Sequence, residues 1–87
     1  MRLSWPGTLS ADARAAATAA EAARARELAA AGTIVRLWRI PGERANWGLW
    51  SATDADELHA AVSSLPLWPW CEVTVHPLAR HPNDPAA

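Results

Sequence analysis

The chain has 87 residues, 51% hydrophobic and 20% charged, with eight basic and nine acidic side chains for a net charge of -1. These values describe one small globular domain, near the lower limit of what a single core can hold together, and exclude an intrinsically disordered segment. The charge balance offers no field for nucleic acid or an anionic membrane surface, and no apolar run approaches the roughly 18–20 residues of a membrane span.

In chain order, Met1 to Trp5 makes room for a short strand that Pro6-Gly7 ends. Ser10 to Ala31 reads as the first helix. Ser10 suits the N-cap, Asp12 the first turn, and Gly32 the left-handed residue after the C-terminus; alanine, arginine and glutamate fill the interior. Thr33 to Ile40 is β-branched and aromatic, hence a strand. Pro41-Gly42-Glu43-Arg44 supplies a tight turn, and Ala45 to Ser51 returns as the second arm of a hairpin. Thr53 or Asp54 caps a second helix running to about Ser64, with Asp54 and Glu57 at capping-box spacing. Its apolar stripe is Leu58, Ala61, Val62 and Leu65. Two prolines exclude a helix over residues 65–70. Cys71 to His76 alternates with period two and reads as a last strand, and Pro77 to Ala87 is a proline-bearing tail, ordered only if it docks on something.

The resulting order, (β)-α-β-β-α-β with a shortened first strand, is that of an α+β ferredoxin-like split βαβ sandwich: two helices on one face of an antiparallel sheet, in a single domain spanning residues 1–87. Arginine supplies every cation, so lysine chemistry is excluded. One cysteine, Cys71, excludes an internal disulfide and a thiolate-cluster metal site. The N-terminus lacks the apolar stretch of a signal peptide, so a cytoplasmic, reducing location is expected. An alanine-rich helix buries little apolar area, while six tryptophans stand without any phenylalanine or tyrosine. The missing burial is expected to come from tryptophan and from subunit contacts.

Several blocks share one order and spacing with a known family. They are Leu37-Trp38-Arg39-Ile40 with Gly42, Ala45-Asn46, Asp56-Glu57-Leu58-His59, Leu65-Pro66-Leu67-Trp68-Pro69-Trp70, Val75, Pro77-Leu78 and Ala79-Arg80-His81-Pro82. On these the chain resembles the muconolactone Δ-isomerase family, and the preceding helix aligns without gaps. The resemblance implies a cofactor-free isomerase of aromatic catabolism (the β-ketoadipate pathway) that converts muconolactone to 3-oxoadipate enol-lactone. It also implies a homo-oligomer, specifically a ring-like decamer with active sites between subunits, its tail reaching a neighbouring subunit. A related branch removes chloride from 5-chloromuconolactone, and a non-catalytic oligomeric accessory protein of the same fold is a further alternative. Three departures stand out. The first strand is short, either because the sheet has a truncated edge or because the reading frame starts upstream of Met1. Tryptophan replaces the family's usual tyrosine and phenylalanine at Trp47, Trp50, Trp68 and Trp70. Glu21 is followed by Ala22 where the family often has lysine.

Glu21 stands seven residues before Leu28, on the same helical stripe. A carboxylate facing inward is costly unless paired or used, and partial desolvation makes it a stronger base. The resemblance makes Glu21 the general base; the competing reading is an ion pair with Arg24 at i,i+3. Arg39 and Asn46, one on each arm of the hairpin, are candidates for binding the substrate carboxylate and the lactone carbonyl, against roles as an exposed strand residue and a turn-end hydrogen-bonding residue. His59 borders the apolar stripe of the second helix and reads either as a substrate contact or as a packing residue. Arg80 and His81 are read as solvated by themselves and as pocket-completing by the resemblance. His59, His76 and His81 lack ligand-pair spacing, so no metal site is expected. Cys71 reads as a small buried hydrophobe.

Overall fold

The computed structural model describes residues 1–86; Ala87, the end of the expected tail, lies outside them. After a two-residue strand, β1 (Arg2–Leu3), helix α1 (Ala11–Ala30) starts where the Ser10 hydroxyl accepts the Ala13 N–H at 3.1 Å. This satisfies one of the donors a helix start leaves free. The other end closes with Thr33 N–H donating to Leu28 O and Gly32 N–H to Ala29 O. Gly32 takes φ 81°, a conformation that glycine adopts without steric cost. Arg14, Ala17, Glu21, Ala25 and Leu28 all lose exposure. Their three- and four-residue spacing makes them one inward stripe.

The hairpin pairs β2 (Ile34–Arg39) with β3 (Asn46–Trp50) in antiparallel register. Its turn is closed by Glu43 N–H donating to Ile40 O at 3.2 Å. Pro41 and Gly42 occupy the central positions, Gly42 at φ 78°, which is the type II arrangement. Ile34 lies opposite Trp50, Leu37 opposite Gly48 and Arg39 opposite Asn46, whereas Arg36 faces Leu49 and Trp38 faces Trp47. Paired residues share a face, so the first set forms one side of the hairpin and the second set the other. A register shift between Ile34 and Arg36 leaves Val35 as the extra residue. On the second face the Arg36 guanidinium lies 4.9 Å from the centre of the Trp38 ring.

Helix α2 (Ala55–Ser63) is capped by Asp54, whose carboxylate accepts the Glu57 N–H at 2.7 Å. Only half of the capping box forms. The Glu57 carboxylate accepts from the Thr53 hydroxyl instead of turning back to the cap. Two expectations need correction. Residues 65–70 are free of α-helix, yet Trp68–Trp70 makes one 3₁₀ turn with Pro69 inside its first turn, where a missing N–H breaks nothing. The last strand, expected over Cys71 to His76, is confined to β4 (Cys71–Glu72). Its partner is β1, through Arg2–Glu72 and Leu3–Cys71, and β1 is too short to pair with residues 73–76.

β1 also bridges to the hairpin. Arg2 pairs with Ala45, Leu3 N–H donates to Arg44 O at 2.8 Å and Asn46 N–H donates to Met1 O at 2.9 Å. Two two-stranded sheets, β1 with β4 and β2 with β3, thus meet edge to edge at this bridge, giving the spatial order β4-β1-β3-β2, antiparallel throughout, as the ferredoxin-like arrangement requires. One core unites the layers. Leu28, Ile34 and Leu65 are buried together, with Met1, Ala25, Trp50 and Ala61 packed around them. Because Ile34 and Trp50 share a sheet face, both helices cover that face. The opposite side is apolar and open: Trp38 is 46% exposed and Trp47 61%. Among the described residues no helix is long and apolar enough to cross a membrane.

Candidate active site

A cleft of ≈ 970 Å³ opens between α1, α2, β3 and the segment following β4. Glu21, Asn46, Gly48, Trp50 and Leu58 are among the residues that line it, and most of the lining is apolar. Glu21 reaches it from the middle of α1, half-buried, because its stripe is the one that carries Leu28 inward. One carboxylate oxygen accepts the Leu67 N–H at 3.3 Å. Burial raises the Glu21 pKa above its ordinary value of 4.5, and the Leu67 hydrogen bond works in the opposite direction. Desolvation prevails, which makes this carboxylate the stronger base.

The competing ion pair with Arg24 is not formed. Arg24 turns away to donate to Ser64 Oγ at 3.0 Å and to the Glu27 carboxylate at 2.9 Å. Among the described residues, Glu21 thus faces the cleft with a single backbone donor and no cation beside it. Cys71 lies within its electrostatic reach. The thiol pKa is pushed up first by burial and then by the Glu21 charge, with the N-terminal ammonium acting the other way. Cys71 is therefore a neutral thiol at neutral pH.

Asn46 is fixed through its backbone. Its N–H donates to Met1 O and its carbonyl accepts from the Met1 ammonium, both at 2.9 Å. Its side chain makes no hydrogen bond among the described residues. The remaining candidates lie elsewhere on the chain. Arg39 sits opposite Asn46 in the hairpin register but is exposed and outside the cleft. His59 is exposed on α2, edge-on to Trp68 with ring centres 5.7 Å apart, in a separate hollow of ≈ 280 Å³. Arg80 and His81 belong to an exposed run away from the cleft, where His81 Nδ1 accepts the Asn83 N–H at 2.9 Å. Within one chain, then, Glu21 and Asn46 come together and the other four do not.

Periodicity and spacing do not single out the Leu67 N–H, nor Gly48 and Trp50 as site residues. The only sequence signal for the backbone donor is the non-helical 65–70 segment, which frees amide groups that a helix would have used.

A half-buried carboxylate in a small apolar cleft, carried on a ferredoxin-like α+β sandwich, defines a domain equipped for proton transfer on a small organic molecule. A family model described as muconolactone delta-isomerase matches residues 1–84, and the chain belongs to that family. A muconolactone Delta-isomerase of Cupriavidus pinatubonensis is 41% identical over 66 residues, covering 76% of this chain and 72% of the relative. One from Rhodococcus opacus is 33% identical over 84 residues, covering 97% of this chain and 90% of the relative. A crystal structure of muconolactone isomerase matches with a TM-score of 0.90 at 29% identity, covering 99% of this chain and 90% of that one.

Proposed function

We propose that the protein isomerises muconolactone, or a closely related small acidic lactone, to the 3-oxoadipate enol-lactone in aromatic catabolism. The observation that carries this reading is Glu21, a carboxylate half-buried in the cleft with no cation beside it among the described residues. The reaction moves one proton between two carbons of the lactone ring. Glu21 takes the proton from carbon next to the unsaturated system, the electrons spread onto the lactone oxygen as an enolate, and the protonated Glu21 returns the proton two atoms away. Nothing is gained or lost overall. A raised pKa suits both halves of the cycle, since the group must hold the proton between its two transfers. Asn46, with a free side chain in the same cleft, is a donor for the substrate.

The same reading assigns Arg39, His59, Arg80 and His81 to pockets completed by neighbouring copies, with the tail from residue 77 docked on an adjacent subunit. Support for a homo-oligomer, with a decamer as the specific form, comes from the apolar side chains left open on the second sheet face and along the tail, where Leu78 is 79% exposed. A cytoplasmic location is part of the same reading. The direct test is to incubate the purified protein with muconolactone and follow enol-lactone formation. Absence of turnover across neutral pH would overturn the reading.

A further inference from the structure

Gly48 and Trp50 lie on the same face of β3, two residues apart and both lining the cleft. A Cβ at position 48 would stand 2.6 Å from Trp50 Nε1 and 3.1 Å from Leu37 Cδ2. The indole therefore lies across the space that any other residue at position 48 would fill, its nitrogen over the glycine. Glycine in a strand interior weakens the strand and often marks a close approach; here the approach is that of the indole. Trp50 is only partly buried, and its Nε1–H makes no hydrogen bond among the described residues. No side-chain nitrogen or oxygen among those residues is both buried and unpaired, so this N–H keeps some accessible surface, on a side chain that lines the cleft. Indole nitrogen is a donor only. It is the complement of an oxygen that carries negative charge, on the same sheet face as Asn46 and in the same cleft as the base.

We propose that Trp50 binds an oxygen of the lactone substrate through its Nε1–H, and that Gly48 is required because it alone lets the indole lie in that position. The proposal rests on the isomerase reading for its ligand, and on the Gly48–Trp50 geometry for its site. A phenylalanine at position 50 would keep the ring and remove the donor. A methyl group at position 48 would keep the donor and displace it.

The test labels the tryptophan indoles with ¹⁵N and identifies the Trp50 resonance by its proximity to the Gly48 α-protons. The probe is the saturated analogue, 5-oxotetrahydrofuran-2-acetate, which lacks the double bond and cannot isomerise. The Trp50 N–H resonance is expected to shift on titration, and Trp50→Phe and Gly48→Ala are each expected to lower kcat/KM for muconolactone by about tenfold, the weight of one hydrogen bond. An unmoved Trp50 resonance, or a folded Trp50→Phe with undiminished kcat/KM, overturns the proposal while leaving the isomerase reading in place. If the wild-type protein does not turn over muconolactone, the isomerase reading fails, and the titration alone decides whether Trp50 binds the lactone acid. Should Trp50→Phe not fold, the wild-type titration is again decisive.

Discussion

Replacing Glu21 by glutamine removes the base while disturbing little else. The side chain keeps its length, and its amide oxygen still accepts the Leu67 N–H that the carboxylate accepts at 3.3 Å. No ion pair is broken, because Arg24 is engaged with Ser64 and Glu27. The fold should therefore survive intact. Turnover should not, because a positioned general base contributes on the order of 10²–10⁴-fold. Enol-lactone formation by Glu21→Gln is expected to fall by about that factor, with Glu21→Asp losing less, since the base is kept but drawn back by one methylene. Stability adds an independent measurement. Burial raises the folded-state pKa of Glu21 above its ordinary value of 4.5, so the folded protein holds this proton more tightly than the unfolded chain. The corresponding stability is fully present below the unfolded pKa and is lost as pH rises through the folded one. Melting curves should show the glutamine variant gaining on the wild type as pH rises from acid to neutral. Full activity in Glu21→Gln, or a melting difference independent of pH, would refute the reasoning.

The pH profile of kcat/KM should rise with pH through an apparent pKa above 4.5, since the free base is the active form and burial raises its value; a limb at or below the ordinary carboxylate value would count against Glu21. Leu28→Ala, at a core position 5% exposed, should lower unfolding stability by about 2–5 kcal/mol in denaturant titrations. Asp54→Ala removes the acceptor for the Glu57 N–H and should cost about 1 kcal/mol in the same assay. Gly32→Ala meets no atom within 4 Å, so its whole effect should be the strain of a positive φ, about 1–2 kcal/mol.

What the sequence disclosed was local. Ser10, Gly32, the Pro41-Gly42 turn and Asp54 each mark an element boundary through a hydrogen bond or a dihedral angle that neighbouring residues decide, and each lies where it was expected. Glu21 was legible because a helix carries its own periodicity: the distance to Leu28 fixed its face before any partner was known. The last strand fell short of its expected length for the opposite reason. Alternation over Cys71 to His76 records which face each side chain prefers, but a strand also needs a backbone partner of matching length, and β1 supplies only two residues. The fate of the Glu57 carboxylate turned on a competing hydroxyl, Thr53, one residue outside the box. Trp50 was not legible because its role depends on what is missing at Gly48, and a side chain leaning over a neighbouring glycine leaves no trace in composition or period.

The strand pairing most distant in sequence lies at one edge of the sheet, between β1 and β4. The hairpin closes over a six-residue gap between Arg39 and Asn46, and α1 forms from its own residues, so both belong to the fast, local part of folding. Joining them to β4 means bringing Arg2 to Glu72, 70 residues further along the chain, and loop-closure entropy opposes that step most strongly. β1 is expected to dock late. With so few hydrogen bonds holding it, it is also the element expected to open first from the native state. Because Asn46 is held by Met1, each such opening releases one wall of the cleft. Amide exchange at Leu3 and Asn46 should then run ahead of that at Leu28, and ligand binding should slow all three unequally, most at Leu3 and Asn46, whose N–H groups bond across the junction of β1 with the hairpin.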